Sequence, residues 1–310
     1  RALCVFLPTI TVDFFDVITF QHSPIRPGKL FCFGLGFTGV RFAYRLRAAG
    51  WQVTGTSRNE GSFDRLRADG IAVGPMETAD IPSDTSYILS TIPPSEGGDP
   101  VLLNHSAKMT AGLDLAWIGY LSTTGVYGDR GGATVCEEDA PAPSNTRSQR
   151  RLTAERAWLE FGRKHDVAVQ IFRLAGIYGP KRSVLDSVRA GTAKRINKPE
   201  HLFSRIHVDD IGTILMASMS RPRASAIYNV CDDAAAAPAE VTLHACRLLG
   251  VEPPPLEEFD ADKMSPMARS FWKENRLVSN ALVKHELGIS LRYPDYRAGL
   301  AAILEEEKTK

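Results

Sequence analysis

This chain has no excess of charge of either sign. Its 310 residues carry 37 Lys and Arg against 36 Asp and Glu, a formal net charge of +1. A nucleic-acid or membrane-surface binder usually concentrates a basic stripe, so neither partner is expected. Cysteine is sparse: Cys4, Cys32, Cys136, Cys231 and Cys246, an odd count with no Cys-x-x-Cys pair. That argues against a disulfide framework and fits a reduced, cytoplasmic protein. The seven histidines are scattered, with no Cys or carboxylate at ligand spacing, so no metal site is expected. Long uncharged apolar runs are missing too. Residues 1–20 are apolar but carry Asp13 and Asp16, without a preceding basic cluster, and fit neither a signal peptide nor a membrane span. Residues 21–28 read as a linker. Residues 1–27 are therefore expected to be an accessory extension or translated upstream sequence; an ordinary edge element of the fold is the alternative. No internal repeat or low-complexity tract stands out.

What is present is ordinary globular composition, 44% hydrophobic and 24% charged, at a length that suits one large α/β domain or two small ones. From Lys29 onward, short apolar runs alternate with helical ones. Strands are predicted at Leu30–Phe33, Gln52–Thr56, Ile71–Val73, Tyr87–Ser90, Trp117–Leu121 and Ala168–Phe172. Helices are predicted at Thr38–Ala49, Ser62–Ala68, Val101–Ala111 and Arg147–Lys164. Strict alternation argues for an α/β, Rossmann-type, doubly wound parallel sheet covered on both faces. After Tyr178 the texture changes. Residues 180–204 are rich in Arg and Lys with no clear strand, Ile206–Met219 opens like a strand and continues as a helix, and Ala226–Val230 reads as a strand. Helical segments follow around Pro238–Leu249 and Ser279–Leu287. Residues 28–310 are thus expected to form one nucleotide-binding domain, with a smaller substrate lobe from about 180–205 and 233–310.

The sharpest motif is Gly34-Leu35-Gly36-Phe37-Thr38-Gly39, which follows an apolar strand and opens a helix. Each glycine has a mechanical reason. Gly34 permits the tight turn, Gly36 allows close backbone approach to a pyrophosphate, and Gly39 allows helix–strand packing. The helix N-terminus then offers free N–H groups to the phosphates. A purely structural turn is the alternative. The end of the second predicted strand selects the dinucleotide. An NAD site wants an acid there, but the chain reads Val53-Thr54-Gly55-Thr56-Ser57-Arg58-Asn59, with none before Glu60. Arg58 could pair with a 2′-phosphate and Ser57 could donate to it. NADP is expected, with NAD as the alternative; the plainer reading of Arg58 is a solvated loop charge.

Four stretches in order and at fitting spacing resemble the extended short-chain dehydrogenase/reductase superfamily of NAD(P)-dependent epimerases, dehydratases and reductases, closest to its atypical branch. They are the glycine motif, Leu121-Ser122-Thr123-Thr124-Gly125-Val126-Tyr127-Gly128, Phe172-Arg173-Leu174-Ala175-Gly176-Ile177-Tyr178-Gly179-Pro180, and Arg205-Ile206-His207-Val208-Asp209-Asp210-Ile211. The resemblance spans about residues 29 to 232. It implies that Thr123 takes the place of the catalytic Ser or Thr; a strand-end hydroxyl capping local backbone is the structural alternative. It also implies that Thr91, Ile92 and Pro93 run beside the cofactor, and that Leu174, Ala175 and Gly176 pass close to the nicotinamide. His207, Asp209 and Asp210 are expected to brace the fold.

The departure from the family is as informative. The catalytic Tyr-x-x-x-Lys would occupy positions 147 and 151, where the chain has Arg147 and Arg151, and nowhere is a Tyr followed four residues later by Lys. Arg151 could keep the electrostatic role of the Lys. Arg147 cannot relay a proton near neutral pH, because guanidinium does not deprotonate. Tyr127, Tyr178, Glu137, Glu138 and Asp139 are the candidate substitutes. Two functions compete: an NADP(H)-dependent oxidoreductase or nucleotide-sugar epimerase/dehydratase with a modified relay, and a non-catalytic NADP(H)-binding sensor or regulator. The substrate would be a small molecule. Arg147, Arg150, Arg151, Lys181 and Arg182 could line an anionic or nucleotide-sugar pocket, or simply be solvated charges. Extended members often pair, and the helix at about 147–164 could serve a homodimer.

Overall fold

The structure is a computed structural model that describes residues 25–309; the expected extension at 1–27 lies almost wholly outside the described residues. The strands in chain order are β1 (Lys29–Phe33), β2 (Gln52–Thr56), β3 (Ala72–Gly74), β4 (Tyr87–Ser90), β5 (Trp117–Thr123), β6 (Thr134–Val135), β7 (Val169–Leu174), β8 (Gly176–Tyr178), β9 (Arg195–Asn197), β10 (Arg205–His207), β11 (Ala226–Val230), β12 (Leu256–Glu258) and β13 (Leu277–Val278). The helices are α1 (Phe37–Ala48), α2 (Phe63–Ala68), α3 (Pro100–Thr110), α4 (Thr146–His165), α5 (Val184–Arg189), α6 (Val208–Met219), α7 (Pro238–Leu249), α8 (Pro266–Lys273), α9 (Ala281–Leu287) and α10 (Tyr296–Lys308).

Seven strands form one sheet in the order β11-β7-β5-β4-β1-β2-β3, with every pairing parallel. Period-2 alternation sends successive side chains to opposite faces. In β1, Leu30 and Cys32 join one core, with Phe42 and Leu46 of α1 and Ile211 and Leu215 of α6. Phe31 and Phe33 join the other, with Val101 and Met109 of α3 and Trp158 and Phe161 of α4. Both faces are therefore covered, and the fold is the doubly wound α/β sheet. Burial among apolar side chains raises the Cys32 thiol to about 12, so it is an inert core residue.

The chain runs outward from β1 to β2 and β3, then returns to β4 on the other flank of β1. Connections that leave two adjacent strands in opposite directions open a crevice at their carboxyl ends. That crevice, between β1 and β4, is where the glycine motif lies. Beyond the sheet, α5, α7 and α10 share a separate apolar cluster: Leu185, Val241, Ala245, Leu300 and Ile303 with Tyr178 and Tyr296. Val283 and Leu287 of α9 instead pack into the core beside the sheet. The short pairs β8–β10, β9–β12 and β6–β13 carry the chain over the carboxyl ends of the strands.

Candidate functional site

The three glycines of the motif stand in different surroundings. Gly34 has φ of +99°, and a Cβ there would lie 2.4 Å from Thr91 Oγ1. A Cβ on Gly39 would lie 2.4 Å from the Gly34 carbonyl oxygen. Both are therefore required by the turn's own packing. Thr91 Oγ1 donates to the Gly34 carbonyl at 2.6 Å, and the Gly34 N–H donates to Thr56 Oγ1 at 3.1 Å, so the ends of β1, β2 and β4 are tied together. Gly36 is different. Its φ of −91° suits any residue, and a Cβ there would meet nothing within 4 Å. It faces open space at the start of α1, where no side chain caps the first turn and no acid is present.

That space is one end of a cavity of about 460 Å³. It is lined by Gly36, Phe37, Thr38 and Thr91 beside β1 and β4, by Thr123, Leu174, Ala175 and Gly176 at the carboxyl ends of β5 and β7, by Arg147, Ser148 and Arg151 of α4, and by Phe271, Glu274 and Arg276. A second cavity of about 470 Å³ adjoins it across Thr123, Leu174–Ile177 and Phe271, and continues to Tyr178, Arg205 and Trp272. The structure thus brings together Gly36, Phe37, Thr38, Thr91, Thr123, Arg151, Leu174, Ala175 and Gly176. Leu35 is buried behind the turn and donates its N–H to the Thr56 carbonyl at 2.6 Å. Ile92 and Pro93 follow Thr91 but do not line the cavity. Ser57 and Arg58 lie beyond it at the end of β2. Ser57 Oγ accepts the Asn59 N–H at 3.1 Å, while Arg58 is exposed and unpaired among the described residues.

Thr123 ends β5, and its Oγ1 accepts the Gly125 N–H at 3.1 Å. The hydroxyl thus caps local backbone, yet its proton has no partner among the described residues and it lines both cavities. Arg151 donates from Nη1 to the Leu121 carbonyl at 2.8 Å and to the Tyr120 hydroxyl at 3.0 Å. These bonds hold its guanidinium at the cavity wall.

The structure does not bring Tyr127 to the other candidate residues. Tyr127 is fully buried, outside both cavities, and donates to Asn229 Oδ1 at 2.8 Å while accepting from Arg173 Nη1 at 2.9 Å. Burial raises its pKa further. It belongs to a buried network in which Glu155 accepts from Ser122 Oγ at 2.5 Å and pairs with Arg173 at 2.8 Å. Three of the other substitutes are committed elsewhere, and Glu138 is exposed and lines neither cavity. Glu137 accepts the Asn229 N–H at 2.6 Å, Asp139 accepts the Cys136 N–H at 2.7 Å, and Tyr178 donates to the Asp295 carbonyl at 3.3 Å. His207, Asp209 and Asp210 act as braces. Asp210 accepts the N–H groups of Arg292 and Tyr293 at 2.8 and 2.9 Å, and Asp209 pairs with Arg41 at 2.6 Å.

Glu274 and Arg276 escaped sequence reasoning. Glu274 accepts from Ser144 Oγ, from Asn145 Nδ2 at 3.0 Å and from Arg276 at 2.6 Å; Arg276 also donates to the Gly128 carbonyl at 2.8 Å. These bonds latch the segment after α8 onto the start of α4 and close one side of the cavity. No local motif marks them, because every partner but Arg276 lies more than 100 residues away.

No family model matches the chain. Protein YeeZ of Escherichia coli strain K12 is 28% identical over 283 residues, 86% of this chain and 97% of that protein. A conserved protein of unknown function from Silicibacter pomeroyi is 40% identical; its structure superposes with a TM-score of 0.85 over 90% of this chain and 99% of its own. UDP-glucuronic acid 4-epimerase from Bacillus cereus, solved with UDP-glucuronic acid and NAD, shares the fold at a TM-score of 0.73 and 14% identity, over 91% of this chain and 99% of its own. By sequence identity and by fold, the chain belongs to one family with the Silicibacter pomeroyi protein, and it shares its fold with NAD-dependent epimerases and dehydratases.

Proposed function

We propose that this chain binds a nicotinamide dinucleotide across the carboxyl ends of β1 and β4, NADP in preference to NAD, and uses it in oxidoreductase or epimerase/dehydratase chemistry on a small molecule beside Thr123. The observation that carries the reading is Gly36. Gly34 and Gly39 are accounted for by their neighbours, but Gly36 has ordinary backbone angles and open space before it. A glycine with no internal reason, at an uncapped helix start that opens on a cavity, fits the close approach of a pyrophosphate. Arg58, exposed and unpaired among the described residues at the end of β2, supports the 2′-phosphorylated form, as does the lack of an acid before Glu60.

Bound there, the cofactor would supply a hydride donor or acceptor. The chain's own contributions are to hold and orient. Thr123 offers an uncommitted hydroxyl proton to a substrate oxygen, Arg151 adds fixed positive charge, and the latched segment at Glu274 excludes water from one side. The UDP-glucuronic acid bound by the Bacillus cereus enzyme supports an anionic small molecule or nucleotide-sugar as substrate. The four described cysteines are unpaired, which supports a reducing, cytoplasmic setting. No helix among the described residues is long and apolar enough to cross a membrane.

A thermal-shift titration with NADPH, NADP, NADH and NAD tests the reading. A ligand that binds only the folded chain, at about 100 times its Kd, adds roughly 2.7 kcal/mol. The expected result is a shift with the 2′-phosphorylated pair that falls in Arg58→Ala and vanishes in Gly36→Val. The Val side chain would point into open space, so this variant should fold. The absence of a shift with all four dinucleotides would overturn the proposal. A second reading, a regulatory NADP(H)-binding protein, is favoured by one observation: no Tyr or His lines the cavity between Gly36 and Arg276. Dinucleotide binding without any turnover in a substrate screen would select it.

A further inference from the structure

We infer that the cavity recognises an oxyanion on its ligand, a carboxylate or a phosphate ester, through Arg147 and Arg151, the two guanidiniums at the positions of the superfamily's Tyr and Lys. The inference rests on the reading of this cavity as the substrate site and names the substrate's chemical class. It starts from charge. A chain with a net charge of only +1 sets four guanidinium groups around one cavity against a single carboxylate. That carboxylate, Glu274, is already paired with Arg276. Arg182 lies over the Phe37 ring, 5.1 Å from its centroid, on the glycine-motif side where dinucleotide phosphates would sit. Arg147 and Arg151 remain for the other end, and neither makes an ion pair among the described residues.

Their placement is unfavourable without a ligand. They are four residues apart on α4, so their side chains emerge from one face, and like charges at that spacing repel. Arg147 also stands in the first turn of α4, where the helix dipole disfavours a cation and where no acid offsets it. An anion between the two guanidiniums would relieve both. The donors are available. Arg151 spends only Nη1 on the protein and keeps its Nε and Nη2 hydrogens. Arg147 makes no hydrogen bond among the described residues, and its guanidinium rests over the Phe271 ring, 4.9 Å from the centroid. That cation–π contact uses none of the guanidinium hydrogens, which leaves them free for bidentate contact with a carboxylate or phosphate. Position 147 has thus exchanged a proton donor for a permanent cation, and its work is binding.

Isothermal titration of inorganic phosphate and of malonate into the Gly36→Val chain tests this, because closing the glycine motif leaves the Arg147 end intact. The expected result is saturable binding of at least one anion, equal to that of the unaltered chain. It should weaken by about tenfold or more in Gly36→Val with Arg147→Gln, and recover in part with Arg147→Lys. Arg147 is exposed and makes no hydrogen bond among the described residues, so both replacements should fold; circular dichroism checks it. Unchanged affinity in Arg147→Gln, binding lost in Gly36→Val alone, or no heat from either anion would each overturn the inference. Failure of the dinucleotide reading shows separately, as no thermal shift with the four dinucleotides whatever the anions do.

Discussion

Single side chains carry large energies where charge is buried. Arg173 and Glu155 pair with side chains only 3% and 2% exposed. The carboxylate also accepts from Ser122, and the guanidinium donates to Tyr127. Removing one partner strands the other charge in the core, at a cost of roughly 3–5 kcal/mol. Glu155→Leu should therefore lose about that much stability in urea unfolding, and Glu155→Leu with Arg173→Met should lose distinctly less. A double variant as unstable as the single one would show that the packing, not the charge, is what matters. The same network explains why Tyr127 misleads a reader of sequence. It lies in a motif that also holds Thr123, yet after β5 the chain turns through residues 124–127, leaving Thr123 at the cavity and the Tyr127 ring in the core.

At the scale of elements, the strands and helices that build the sheet were readable because each repeats its own period. Trp117–Leu121 and Ala168–Phe172 were predicted, and β5 and β7 run only two residues further, to Thr123 and Leu174. Beyond the sheet, α7 was readable at Pro238–Leu249, but the shorter elements were not. α5, β9 and β12 are six, three and three residues long, too short for a period to emerge. α10 did carry a signal, Asp295 capping a run rich in Leu, Ala and Glu, but the alternation of strand and helix gives no reason to expect it. One residue holds α6 to the loop before α10. Asp210 is fully buried and accepts two backbone N–H groups, from Arg292 and Tyr293. Asp210→Ala leaves both without partners, at about 1–3 kcal/mol each. A fall of roughly 2–6 kcal/mol is expected, with faster proteolysis near residues 288–295. Unaltered stability would show that other contacts hold α6.

For the whole molecule, stability should depend on pH through buried groups that oppose one another. Burial holds His201 and His207 near 4, below the ordinary 6.5. The stability they contribute is present above pH 6.5 and lost as pH falls towards 4. Asp232 has the opposite sign. Burial raises its carboxyl from 3.8 to about 7, so its contribution is present below pH 3.8 and lost as pH rises through 7. Asp232→Asn should accordingly gain on the unaltered chain as pH rises from about 4 to 7, while both still lose stability in acid. A constant difference between the two across that range would mean that Asp232 is ionised throughout.

The sequence by itself determined the doubly wound sheet, the glycine motif between its first strand and first helix, and the identity of Arg147 and Arg151, four residues apart on one helix. These are properties of short segments: a period of two or of 3.6, a spacing of glycines, an identity at a position. Only the tertiary structure decided which candidates share a cavity. It set Tyr127 in the core, tied Glu137 to the backbone of β11, left Ser57 and Arg58 beyond the cavity, and brought Glu274 and Arg276 against residues more than 100 positions away. Such contacts depend on how the helices over the sheet close on one another, and packing between distant segments leaves no periodic trace in either one.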